Sequence, residues 1–179
     1  MIDRKFNIEV FNNYQEIADY VRSIISVEAV SESFNLALSG GSTPRTVYSF
    51  LSEFKKPHIP WERIKFFWGD ERCVSPDNPE SNYLMAKESL FDKIDIANDQ
   101  VFRIKGENDP EAERERYNNI VLANTKGIID LMFLGLGTDG HTASIFPNQM
   151  ELLKTEEVCA VAVHPVSEQF RITLTGLSL

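Results

Sequence analysis

Three apolar runs in this chain, residues 34–38, 64–68 and 128–134, each end directly in a polar segment that contains glycine. Runs this short, bounded by glycine and separated by amphipathic stretches, read as buried strands rather than helices. In a parallel sheet all carboxyl ends lie on one edge, and ligands bind in the crevice outside it. Glycine and polar side chains at three such ends therefore point to an α/β architecture whose sheet edge collects all three segments in one crevice.

The rest of the chain keeps the same rhythm. Residues 6–11 alternate apolar and polar, the pattern of a half-buried strand. Asn12 or Asn13 can cap the helix that follows, whose apolar stripe is Ile17, Val21, Ile24 and Ile25. Further helices are predicted over 46–54, over 81–91 from a Ser81 cap, and from Asp109-Pro110 to about Asn124, with Tyr117, Ile120 and Val121 facing the core. Short strands are expected at 101–104, 158–163 and 172–175. Strand and helix alternating in this way predict a doubly wound, mostly parallel sheet with helices on both faces, joined by right-handed crossovers.

Composition removes several function classes. A chain of 179 residues suits one domain. A net charge of −9 argues against a nucleic-acid footprint, which needs a clustered basic face. Nothing approaches the run of about eighteen apolar residues that a membrane span needs. The first residues lack the apolar core of a signal peptide, so a cytoplasmic location is expected. The two cysteines, Cys73 and Cys159, form no C-x-x-C or Cys/His zinc spacing and read as free thiols. No metal and no cofactor is expected.

The first polar segment is Ser39-Gly40-Gly41-Ser42-Thr43-Pro44. Its glycines let the backbone approach an anion, Ser42 and Thr43 supply hydroxyls and a helix cap, and Pro44 suits the first helical turn. A helix N-terminus placed there offers free N–H groups and the positive end of its dipole, which suits phosphate. The second is Gly69-Asp70-Glu71-Arg72, where Arg72 brings a planar fork for phosphate or carboxylate. Asp70 and Glu71 would position that fork or bind sugar hydroxyls. The third runs from Gly135 through Gly137, Asp139, Gly140 and His141 to Ser144. Asp139 lies two residues before His141, close enough to orient an imidazole that acts as a general base. The other histidines, His58 and His164, lie in Pro-flanked loops and read as surface residues.

On these residues the chain resembles the glucosamine-6-phosphate isomerase/6-phosphogluconolactonase family. The matching stretches are residues 38–44, 68–72, 81–83 (Ser-Asn-Tyr), 135–147 and 171–175 (Arg-Ile-Thr-Leu-Thr), in the family's order. Arg72 and Thr142 stand where the deaminase branch resembles Tyr and Ile, which favours the lactonase branch. The resemblance implies hydrolysis of 6-phospho-D-glucono-1,5-lactone in the oxidative pentose phosphate pathway, with a phosphorylated sugar lactone as partner. His141 would activate water, Asp139 would hold its tautomer, and loop N–H groups near Gly137 would face the oxyanion. Gly40, Gly41, Ser42, Thr43, Arg72, Gly137 and Arg171 would bind substrate. Arg171 precedes a strand, and reaches the crevice only if that strand runs antiparallel or the chain loops back. A non-catalytic sugar-phosphate binder and a deaminase of the same fold are the alternatives. Two departures stand out. The family carries a lysine shortly before Arg171, and residues 164–170 contain none. The family also continues through further strand and helix elements after Gly176, so residues 1–179 are expected to form a single catalytic domain shortened at its C-terminus, with lower stability or homo-oligomerisation as the consequence.

Overall fold

The computed structural model describes residues 7–29, 33–54 and 58–179. Helix α1 covers Tyr14–Glu28, and its cap is Asn13, whose side chain accepts from Glu16 N at 3.0 Å. Ala18, Val21 and Ile25 form its buried stripe. Residues 7–11, expected in a strand, form none; Ile8 and Val10 are solvent-exposed there. Phe6, the start of that expected strand, lies outside the described residues. An alternating pattern becomes a strand only where a neighbour supplies the ladder, and these residues have none.

Strand β1, Phe34–Leu38, is buried throughout and sits at the centre of a parallel sheet in the order β2-β1-β4. Strand β2 is Ile64–Trp68 and β4 is Leu131–Met132. The nearly continuous apolar run 128–134 overestimates β4. It pairs with β1 only at Leu36↔Leu131 and Ala37↔Met132, and Ile128 and Leu134 are exposed on either side. The ladder stops at Ala37↔Met132 although β1 runs on to Leu38, and at its other end the Asp130 carboxylate accepts from Asn35 N at 2.7 Å. The expected strand at 101–104 is a single bridge, Phe66↔Val101.

Helix α2, Ser42–Leu51, α3, Asn82–Ser89, and α4, Pro110–Thr125, bury Val47, Tyr48, Leu51, Met85, Tyr117 and Val121. Ser81 and Asp109 cap α3 and α4 as their side chains predict. Helix α2 starts earlier than the apolar pattern suggests, so Pro44 lies inside its first turn. Its cap is Gly41, with no side-chain hydrogen bond.

A second sheet is antiparallel, in the order β3-β6-β5, with β3 Asp70–Arg72, β5 Cys159–Val163 and β6 Phe170–Leu174. The parallel α/β half is as expected; the antiparallel half follows from the tight loop between β5 and β6, which permits only antiparallel pairing. The two sheets are continuous through one glycine: Gly69 N donates to Leu38 O at 2.9 Å, and Leu174 N donates to Gly69 O at 2.8 Å.

Candidate active site

The register of the parallel sheet brings the three loops together. Leu38 pairs with Trp68, so Ser39 and Gly69 leave the sheet side by side. Phe133 N donates to Ala37 O at 3.0 Å, so the segment beginning at Leu134 leaves at the same edge. Two fully buried tyrosines hold the strand ends. Tyr48 Oη accepts from Ser39 N at 2.9 Å and donates to Ser39 O at 3.2 Å. Tyr117 Oη does the same for Trp68, at 2.8 and 3.0 Å. Burial raises both phenol pKa values. These clamps carry no sequence signal beyond their place on an apolar helix face.

Beyond this edge lies a cavity of about 620 Å³. Gly40, Gly41, Ser42, Thr43, Arg72, Gly137, His141 and Arg171 all line it. Asp139 stands behind His141, exposed to solvent, with its Oδ1 2.6 Å from His141 Nδ1 and 3.3 Å from His141 N. The hydrogen bonds from the imidazole and from the His141 N–H hold the Asp139 carboxyl below its ordinary pKa. A carboxylate at Nδ1 places the ring hydrogen there and leaves Nε2 as the acceptor, the tautomer a general base requires.

Gly137 makes this geometry possible. A Cβ at that position would collide with His141 Nδ1 and Cε1 and crowd Asp139 Oδ1 at 2.7 Å. The Gly137 N–H is not an oxyanion donor, because it donates to His141 O at 2.8 Å and closes the turn. Its role is therefore space, not hydrogen bonding to a ligand. The Phe146 ring supports the imidazole from the cavity wall, with centroids 5.0 Å apart.

The second loop divides its labour differently from the sequence expectation. Glu71 is turned inward, 2% exposed, and forms no ion pair with the Arg72 guanidinium. Its carboxylate accepts from Arg72 N (2.8 Å), Asn82 N (2.7 Å), Tyr83 N (2.8 Å) and Ser81 Oγ (3.0 Å). It thus caps α3 from outside the helix and ties it to β3. Burial pushes the Glu71 carboxyl pKa up, against the pull of these hydrogen bonds. Asp70 Oδ2 accepts from Ser144 Oγ at 2.6 Å, and Asp70 Oδ1 accepts from Asn82 Nδ2 at 3.2 Å. Asn82 also fills the space beside Gly40, where a Cβ would collide with its Oδ1. A buried polar network of Asp70, Asn82 and Ser144 therefore links all three loops. Of these, only Asp70 is given a role by the sequence reading; Asn82 and Ser144 enter it only as members of motif stretches.

The antiparallel register decides the place of Arg171. It stands directly opposite Arg72 and lines the same cavity. Both Nε atoms are buried without a hydrogen-bond partner, and neither side chain forms an ion pair among the described residues. Arg72 Nη1 donates to Glu80 O, which fixes the guanidinium. Burial, and then the Arg72 charge, lowers the Arg171 pKa. Across the cavity, the uncapped first turn of α2 presents backbone N–H groups. His58 is exposed, as expected, but His164 is half-buried and lines the cavity. Among the described residues, no group of three or more His, Cys, Asp or Glu side chains is placed to hold a metal ion, and no helix is long and apolar enough to cross a membrane.

Fold and site together define a class: an α/β protein with two unpaired arginines and an oriented imidazole in one cavity at a sheet edge. Comparison with known proteins agrees. The family model described as glucosamine-6-phosphate isomerases/6-phosphogluconolactonase matches residues 13–179, and the chain belongs to that family. It is 39% identical to the 6-phosphogluconolactonase of Treponema pallidum (strain Nichols), over 93% of this chain and 72% of that protein. The corresponding protein of Haemophilus influenzae is 38% identical, with the same coverage of each chain. The crystal structure of the 6-phosphogluconolactonase of Thermotoga maritima superposes with a TM-score of 0.86 at 30% identity, covering 95% of this chain and 77% of that one. A monomeric glucosamine-6-phosphate deaminase, 21% identical with a TM-score of 0.77, shares the fold.

Proposed function

We propose that the chain hydrolyses 6-phospho-D-glucono-1,5-lactone to 6-phospho-D-gluconate, the lactone step of the oxidative pentose phosphate pathway, in the cytosol. One observation carries the reading: an imidazole oriented by a carboxylate shares its cavity with two arginines that have no anionic partner. The relatives named as lactonases support the same assignment over the deaminase and the non-catalytic binder.

In this mechanism Arg72, Arg171 and the first turn of α2 hold the phosphoryl group, and Gly40 and Gly41 let the backbone close on it. His141 is the catalytic base and Asp139 its positioning residue. His141 Nε2 takes a proton from water as the water oxygen bonds to C1. The carbonyl electrons move to oxygen, giving a tetrahedral intermediate. They return as the C1–O5 bond breaks, and the imidazolium returns its proton to O5. The product acid then ionises in solvent. No external oxidant or reductant is needed. A base in this position contributes about 10²–10⁴-fold.

The test is the rate of 6-phosphogluconate formation from freshly made lactone, above the spontaneous background. His141→Ala should lose about 10²-fold or more, and Asp139→Asn a smaller factor, because the exposed carboxylate orients rather than reacts. Wild-type protein that releases ammonia from glucosamine 6-phosphate, or binds the product without turnover, would remove the lactonase reading.

A further inference from the structure

We infer that His164 is a fixed hydrogen-bond donor to the phosphoryl group, a binding and specificity residue of this cavity; the inference rests on the sugar-phosphate reading of the site. His164 directly follows β5, and its backbone N–H donates to Gln169 O at 3.0 Å, extending the ladder in which Ala162 faces Arg171. Residues opposite one another in an antiparallel pair project to the same face, and the face repeats every second residue. His164 is therefore on the same face as Arg171 and Arg72, one step along the strand. It lines the cavity with them.

The ring chemistry is set by its neighbours. His164 Nδ1 accepts from Val166 N at 3.3 Å and from Ser167 N at 3.1 Å. Two donors at Nδ1 place the ring hydrogen on Nε2, and Nε2 has no partner among the described residues. The Phe146 ring holds His164 edge-on with centroids 5.2 Å apart, and the same ring supports His141. The two imidazoles are thus fixed in opposite tautomers. In His141 a carboxylate at Nδ1 leaves Nε2 an acceptor. In His164 two amides at Nδ1 make Nε2 a donor. One is suited to take a proton and the other to hold an anion, beside an arginine pair that supplies the charge.

Side-chain replacements separate this role from loop support. Gln can reproduce a donor near Nε2, and Asn an acceptor near Nδ1. The measurement is the ratio of kcat/KM for 6-phosphogluconolactone to that for unphosphorylated glucono-1,5-lactone. His164→Ala should lower this ratio about ten-fold, the worth of one hydrogen bond to a charged group. His164→Gln should restore it and His164→Asn should not. Restoration by Asn, or an unchanged ratio in His164→Ala, overturns the inference while leaving lactonase activity intact. Absence of turnover in the wild type instead overturns the proposed function. Titration of the wild type with inorganic phosphate then tests His164 directly: its Nε2 resonance should shift, and an unmoved resonance refutes the assignment.

Discussion

Arg72 and Arg171 face each other across the β3–β6 ladder, two like charges in direct register with both Nε atoms buried and unpaired. Like charges directly opposite destabilise a sheet, and a buried donor without an acceptor costs about 1–3 kcal/mol. A dianion held between the two guanidinium groups, as the proposed function requires, would offset both costs.

Arg171→Met tests that relationship by sign. Met keeps most of the apolar stem while removing the charge and the orphan donor. The ligand-free protein should gain about 1 kcal/mol, a rise of about 2–4 °C in Tm. The same variant should lose most of the stabilisation that 6-phosphogluconate gives the wild type, and its KM should rise at least about ten-fold. A calorimetric scan with and without product reads both. A lower ligand-free Tm would contradict the stored repulsion, and an undiminished ligand shift would take Arg171 out of the anion site.

Gly137→Ala tests the positioning of the base without touching its chemistry. The added methyl enters the space now held by the His141 ring and the Asp139 carboxylate. The imidazole must shift, and a displacement of about 1 Å can cost about 10²-fold in rate. The expected result is a fall of that order in kcat with KM close to wild type, since the arginines are undisturbed. A wild-type kcat would show that the ring has room the geometry denies it.

Glu71→Gln tests the buried cap of α3. The amide keeps the shape but presents N–H where Ser81 Oγ or Tyr83 N now donates, so a loss of about 1–3 kcal/mol is expected. The pH dependence has a definite sign. Burial raises the native carboxyl pKa, so between the ordinary and the raised value the native state binds more protons than the unfolded chain. Stability from this group therefore declines as pH rises through that window. Urea unfolding of wild type and variant should show a stability difference that shrinks as pH rises through the window. A difference that grows would reverse the assigned cause.

The amino-acid pattern reveals whatever depends on local chemistry. The apolar runs of β1 and β2, the Ser81 and Asp109 caps, the Gly-rich turn and the Asp139–His141 pair are all encoded within a few residues, so they were legible. Two kinds of feature were not. The length of β4 depends on its pairing with β1, and 128–134 reads as strand although only Leu131 and Met132 enter that ladder. Residues 7–11 misled for the same reason.

Long-range register was equally hidden. Whether Arg171 meets Arg72, whether Ser144 reaches Asp70, and whether His164 is a surface residue or a wall of the cavity depend on pairings between segments tens of residues apart. Composition carries no trace of such pairings. An antiparallel ladder alternates faces residue by residue, so a slip of one position would have sent Arg171 out of the cavity. The kinds of groups available for chemistry were thus written in the chain, while which of them share one space was settled by the packing of two sheets about Gly69, where hydrogen bonds from both sheets converge on a single residue.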